Sequence, residues 1–384
     1  MKKLFSVLSM TLIMGFSSSV FAGGIIHNSN LSPEYARTLT RNGSTDGADI
    51  AHYNPAGIVF LPEGTIIAVG NQFIFKKYSH KSDSFTFTDD KPVFLFPSLF
   101  AVHNLGRFAV YGAFTVPAGG GTLDYKDGIA DTLFPPSDVA VPVEGFTGHY
   151  ALTLGGAFRL NQNMSIGIGL RGIYAHKTVK VGPITGGIYI SDYESNAQGF
   201  TGILSFNWKV MDKLHFSLKY EHATILEFED EGGGGATEPY REDLPPVVSV
   251  GFVWTGIRKI KLEFAANVYL NKMADWEGLE DKIKTGFEVA VSAEFRLNRQ
   301  FAFSGGLLYT GAGADKNSYD YKKPALDAIS IGVGLKYSLN EKLDVNAGFL
   351  KSFYFEDKAF AANGTELTLN KDINLFSIGI TARF

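Results

Sequence analysis

Four groupings in this chain have residue types and spacing that could do chemistry. Gly167-Ile168-Gly169-Leu170-Arg171-Gly172 has the GxGxxG spacing of a phosphate-cradling loop. Glu227, Glu229, Asp230 and Glu231, followed by Gly232 to Gly235, offer carboxylates to a divalent cation. Asn54-Pro55-Ala56-Gly57 is a turn of restricted geometry, since proline fixes φ and glycine permits positive φ. Phe94, Phe96 and Phe100, with Arg159 and Arg171, combine aromatic surface with cations that would suit an apolar molecule carrying a carboxylate. The remaining chemistry is thin. The eight histidines lack HExxH spacing, there is no GxSxG elbow, and no Ser/His/Asp set or carboxylate pair stands out. No catalytic residue, metal or cofactor is expected.

The elements around these residues decide between the readings. A dinucleotide loop needs a strand, a turn and then a helix. Gly167 and Gly169 instead fall inside a segment where Met164, Ile166, Ile168 and Leu170 alternate with Ser165, Gly167, Gly169 and Arg171. Small inward residues that make room explain them better. The same period of two runs through Tyr150–Leu160, Phe200–Lys209, Leu214–Glu221, Lys259–Val268, Phe287–Leu297 and Ile329–Lys336. It closes the chain: Phe376, Ile378, Ile380, Ala382 and Phe384 face one way, Ser377, Gly379, Thr381 and Arg383 the other. Many runs reach about ten residues, the length of a tilted membrane strand and longer than a usual sandwich strand. Short Asn/Asp/Gly turns alternate strictly with long loops rich in Gly, Pro and charge, and fourteen strands result. An even count suits a bacterial barrel with short turns in the periplasm and long loops outside. Tyr78, Tyr174, Tyr269, Trp208 and Trp254 sit near strand ends, where an interfacial girdle is expected.

The fold class expected is therefore all-β: a 14-stranded antiparallel transmembrane β-barrel, with a small N-terminal hatch in its lumen. Lys2, Lys3, the apolar run Leu4 to Phe16 and Val20-Phe21-Ala22 read as a signal peptide over 1–22. Residues 23–63 do not alternate and are the right amount of chain for a plug; 64–384 form the barrel. The absence of cysteine suits a chain exported unfolded, and 32 Phe and 43 Gly suit strands with one lipid face and one crowded face. Net charge moves from −4 to −6 on losing Lys2 and Lys3, which gives no nucleic-acid surface.

Particular stretches also resemble a known family. Gly23-Gly24, then Asp46-Gly47-Ala48-Asp49 leading to Tyr53-Asn54-Pro55-Ala56-Gly57, is similar to the hatch of the FadL/TodX family of outer-membrane hydrocarbon transporters. Gly155–Asn161, Ser165–Gly169 with Tyr174-Ala175, and Leu244-Pro245-Pro246 resemble its strands 4, 5 and 8. The chain is shorter than that family's typical fatty acid transporters, with smaller loops. The resemblance implies uptake of long-chain fatty acids or aromatic hydrocarbons, and sideways exit at an inward kink in strand 3. Gly112, Pro117 and Gly119 lie there, and proline and glycine both weaken a ladder.

The ligand-pocket candidates are Phe94, Phe96, Phe100, Arg159 and Arg171; the two arginines either meet a ligand carboxylate or pair with Glu221 or Glu263. Expected partners are a hydrophobic small-molecule substrate, outer-membrane lipid, lipopolysaccharide (a second reading of Glu227–Glu231 beside a solvated loop face) and the barrel assembly machinery, which reads a terminal aromatic such as Phe384. The expected location is the outer membrane of a Gram-negative bacterium, as a monomer. A general porin for small polar solutes and a surface adhesin are the alternatives.

Overall fold

A computed structural model of the chain describes residues 26–130, 141–184, 187–236, 238–320, 322–361 and 364–384. The expected signal peptide lies outside the described residues. Fourteen antiparallel strands close into a barrel. They are β1 (Gly64–Lys81), β2 (Thr86–Asp89 and Pro97–Asn104), β3 (Phe108–Tyr125), β4 (Val143–Arg159), β5 (Met164–Val181), β6 (Ser191–Met211) and β7 (Leu214–Glu221 and Glu227–Gly233). There follow β8 (Tyr240–Arg241 and Val247–Trp254), β9 (Ile260–Tyr269), β10 (Gly286–Arg296), β11 (Phe301–Gly311), β12 (Ala328–Ser338), β13 (Leu343–Tyr354 and Asp357–Phe360) and β14 (Glu366–Arg383). The ring closes where β14 pairs with β1, from Ile66↔Arg383 to Lys81↔Thr368. That closure pairs the first strand with the last, so neither end of the sheet presents a free edge to hydrocarbon.

The side chains are arranged inside out relative to a water-soluble protein. On β10, Phe287, Val289, Val291 and Phe295 are exposed while Glu288, Ser292 and Glu294 are buried. On β14, Ile378 is 51% exposed while Ser377 and Thr381 are buried. Burying carboxylates and exposing aromatics is favourable only where the outer solvent is apolar. Short turns close the periplasmic end, several of them on an asparagine carbonyl. Asn104 accepts from Gly106 N–H at 2.9 Å, Asn161 from Met164 N–H at 2.9 Å, Asn298 from Phe301 N–H at 2.9 Å and Asn340 from Lys342 N–H at 2.8 Å. These Asx closures are why asparagine marks the turns in the sequence.

Two girdle expectations need correcting. Trp208, Trp254 and Tyr174 are exposed, but Tyr78 and Tyr269 are buried. They fall on the inward register of their strands, and position near a strand end does not decide the face.

Residues 26–62 lie within the ring of strands. A strap, residues 26–31, leads to helix α1 (Pro33–Thr38), helix α2 (Ile50–Tyr53) and a 3₁₀ turn (Pro55–Phe60). α1 packs on β11 to β14, and the 3₁₀ turn packs on β4 to β6, the opposite wall. Glycines on the wall make this fit. A Cβ on Gly348 would stand 2.9 Å from Arg37 N, on Gly332 2.9 Å from Ala36 O, and on Gly167 2.9 Å from Ala56 N. Gly167, the first glycine of the GxGxxG stretch, thus serves as bearing surface for the segment inside.

The lipid face is testable against the lumen face. Ile378→Arg should cost about 2–4 kcal/mol in reversible unfolding from phospholipid vesicles, the range for a cation near the midplane of a barrel's outer wall. Ser377→Ala, one residue away, should cost far less. Equal costs would place β14 in a different environment.

Candidate functional site

The internal segment is seated by polar contacts. Ser32 caps α1, its hydroxyl accepting from Tyr35 N–H at 3.0 Å and donating to Asp49 at 3.0 Å. Arg41 grips Asp49 with two donors, at 2.8 and 2.7 Å, and pairs with Asp46 at 2.9 Å. Asp46 in turn meets Lys261 of β9 at 2.6 Å. Arg37 reaches Glu294 of β10 at 2.5 Å, and Glu34 accepts from Asn346 of β13 at 2.9 Å. The Arg37–Glu294 and Arg41–Asp49 pairs are buried, so removing one partner leaves the other uncompensated.

Two protonation shifts follow. Burial, then the nearby Asp49 charge, pushes the Glu34 carboxyl from 4.5 up to about 7. Burial, reinforced by Lys219 and Arg171, drives His52 well below its ordinary value, so it is neutral.

Asn54-Pro55-Ala56-Gly57 is the joint between the two halves of this segment. Asn54 Nδ2 donates to Ser44 O at 3.1 Å and to Asn207 of β6 at 2.9 Å. Pro55 opens the 3₁₀ turn, and Ser165 of β5 donates to Ala56 O at 2.6 Å. The reason for Gly57 differs from the expected one. It is not among the residues of positive φ; instead, a Cβ there would stand 2.5 Å from Asn54 Nδ2.

Above the strap the lumen is apolar. Ile74 and Tyr78 of β1, Phe87 of β2, Phe96 just before its second part, and Val116 and Leu123 of β3 belong to one buried cluster with Leu31 and Tyr35. Cations border it. Lys76 pairs with Asp89, and Lys371 Nζ lies 4.7 Å from the Tyr354 ring and 5.2 Å from that of Tyr78. From the long loop after β11, buried Lys323 reaches Thr147 of β4 at 3.3 Å.

Next to this compartment the wall ladder is interrupted. β2 pairs with β3 only from Asn104↔Ala109 to Leu99↔Phe114. Beyond, the β3–β4 register shifts between Thr115 and Ala118 and again between Ala118 and Gly121. Gly119 (φ +91°) and Gly121 (φ +70°) take backbone that L side chains rarely adopt. Residues 115–120 lose the outward–inward alternation and are all buried, which is an inward displacement of the strand.

The expected site residues divide accordingly. Pro117 and Gly119 lie in the interruption, whereas Gly112 sits in regular ladder opposite Ala101 and Leu154. Phe96 joins the apolar compartment. Phe100 lies lower, packed with Ile58 and Val59 of the internal segment. Phe94 points out of the barrel, 60% exposed, because the chain between the two parts of β2 leaves the ladder and the period of two fails there. Arg171 is taken by Glu221, Thr153 and His52; Arg159 donates to Val59 O instead of meeting a carboxylate. In the acidic stretch, Asp230 accepts from Ser195 while Glu227, Glu229 and Glu231 are exposed. Sequence reasoning missed Asn28 and Glu288. Their only signal was a polar residue in an otherwise unassigned strap and an acid on an inward register.

Residues 255–384 match the family model of the outer membrane protein β-barrel domain. A Pseudomonas aeruginosa FadL homologue superposes with TM-score 0.73 at 15% identity, covering 96% of this chain and 100% of that one. The toluene transporter TodX of Pseudomonas putida gives 0.71 at 12%, covering 96% and 100%. The Ralstonia pickettii toluene transporter TbuX gives 0.67 at 12%, covering 92% and 98%. The chain has the barrel fold of these FadL and TodX structures. No curated protein sequence matches it. Within that fold, the plugged lumen and the interrupted β2–β3 ladder are where a functional site is to be sought.

The Glu34 shift gives a signed prediction. With its folded value raised, Glu34 supports seating most fully below pH 4.5, and that support is lost as pH rises through about 7. Glu34→Gln, which stays neutral, should slow hydrogen exchange of the 33–39 peptide at pH 8 and change nothing at pH 4. Faster exchange at pH 8 would contradict it.

Proposed function

We propose that this chain is a passive outer-membrane channel for hydrophobic compounds, long-chain fatty acids or related hydrocarbons. A solute enters the apolar compartment above the strap, the internal segment acts as a hatch that shifts, and the solute leaves sideways between β2 and β3 into the bilayer. Pro117 and Gly119 form the exit, Phe96 is part of the compartment wall, and Asn54 to Gly57 is the joint about which the hatch shifts. The protein works as a monomer, with no energy source or cofactor.

The observation that carries this reading is the juxtaposition of a plugged lumen with a broken wall. Downward passage would have to dislodge the ion pairs of Arg37, Arg41 and Asp49. Sideways passage meets no ladder hydrogen bonds between β2 and β3 beyond Leu99. The rim is greasy, with Phe94, Leu95 and Leu99 exposed towards lipid. Transfer of an apolar solute into the compartment gains roughly 25 cal/mol per Å² buried. Barrels of like fold that carry toluene support the reading. A polar-solute porin fits less well, because residues 26–62 occupy the space such solutes would cross.

Uptake by a host lacking its own channels, carrying this chain, tests the proposal. Oleate or toluene entry should rise above the vector control. No gain with either overturns the reading. Deleting residues 23–63 should leave a folded, heat-modifiable barrel with raised permeability to polar solutes; failure of the barrel to assemble would contradict the hatch.

A further inference from the structure

The interruption in β3 raises an accounting question: backbone carbonyls taken out of a ladder must find other donors. Neither neighbouring ladder includes Val116, Pro117 or Gly119. One residue of the strap serves all three. Asn28 N–H donates to Pro117 O at 2.7 Å, and Asn28 Nδ2 donates to Val116 O at 3.1 Å and Gly119 O at 3.0 Å. Two carbonyl acceptors fix the amide orientation, since a flipped amide would set oxygen against oxygen. Beside it His27 bridges antiparallel to Ala118, and His27 Nε2 meets Pro245 O at 2.9 Å on the β8 side. Further along, Ser29 donates to Glu288 at 2.7 Å, and Asn30 and Gln72 exchange hydrogen bonds. The strap is thus tied to β1, β8 and β10, and Asn28 is its grip on β3.

We propose that Asn28 is a positioning residue that holds the β3 bulge inward and so keeps the β2–β3 seam unzipped. The first segment of the plug props the wall open at this seam. The proposal rests on the lateral-exit reading for its functional meaning, not for its geometry. Without Asn28, the three bulge carbonyls lose the donors that serve them, at a cost the wall must recover elsewhere. The nearest alternative is to extend the existing register, which would set Leu95 opposite Ala118 and Pro97 opposite Val116. Proline lacks an N–H, so the resealed seam is weaker than an ordinary ladder and depends on small differences in donor supply.

The test uses the full-length chain, which has no cysteine of its own. Leu95→Cys and Ala118→Cys form a pair that meets disulfide geometry only if the seam zips. With Asn28 present, mild oxidation in outer membranes should give little cross-link. Asn28→Ala should raise the cross-linking rate about thirtyfold, the factor for two lost hydrogen bonds of ordinary strength. Asn28→Asp, which keeps the size but lacks the donors, should do the same, and heat-modifiable mobility checks that both variants fold. Ser32→Ala, which loosens α1 without touching β3, should stay at background. No rise with either Asn28 variant overturns the proposal, as does an equal rise with Ser32→Ala. A rise accompanied by undiminished hydrophobic uptake upholds the role of Asn28 and counts against lateral exit.

Discussion

Everything in this molecule follows from one constraint: a backbone crossing hydrocarbon must satisfy its own amides. Closure of β14 on β1 meets that demand around nearly the whole ring. The demand also makes a lapse in the ladder informative. Where β2 and β3 part above Leu99 and Phe114, the bulge carbonyls are taken up by a residue from inside the barrel. Wall and plug are therefore one hydrogen-bonded system at that place, and neither can shift without the other.

The plug is held elsewhere by a different kind of force. Its contacts with β9, β10 and β13 are mainly charged and amide groups, while the compartment above the strap is apolar. Paired buried charges contribute little net stability over a greasy interface of similar volume but penalise any misplaced partner. Such a seat has a defined register, and an apolar face from Ile50 to Leu61 packs on Phe100, Val102 and Tyr111 beside it. The lumen is thus divided: a lower part whose buried ion pairs and apolar contacts fix the plug, and a greasy upper part beside the broken ladder.

Much of this was legible in the sequence because period-two alternation reports which face a residue takes. The outward row of β14 and the buried acids of β10 were readable from spacing alone. So was the need for small residues at Gly167, though its reason, Ala56 pressing on it, was not. Reading failed where the ladder fails. Phe94 was placed inward by extending the alternation through residues outside the ladder, and Gly112 was grouped with Pro117 although its own pairing is regular. Tyr78 and Tyr269 show that position along a strand says little about side. The partners of the strap come from β1, β3, β8 and β10, and no local pattern encodes contacts over such separations.

The most direct measurement of the central claim is ion conductance of the purified protein in a planar lipid bilayer. A cylinder whose lumen is occupied by residues 26–62 should insert and pass almost no steady ionic current, with openings at most brief. A stable, porin-scale conductance from the intact chain would mean that the segment does not fill the lumen in a membrane, and the account would fail.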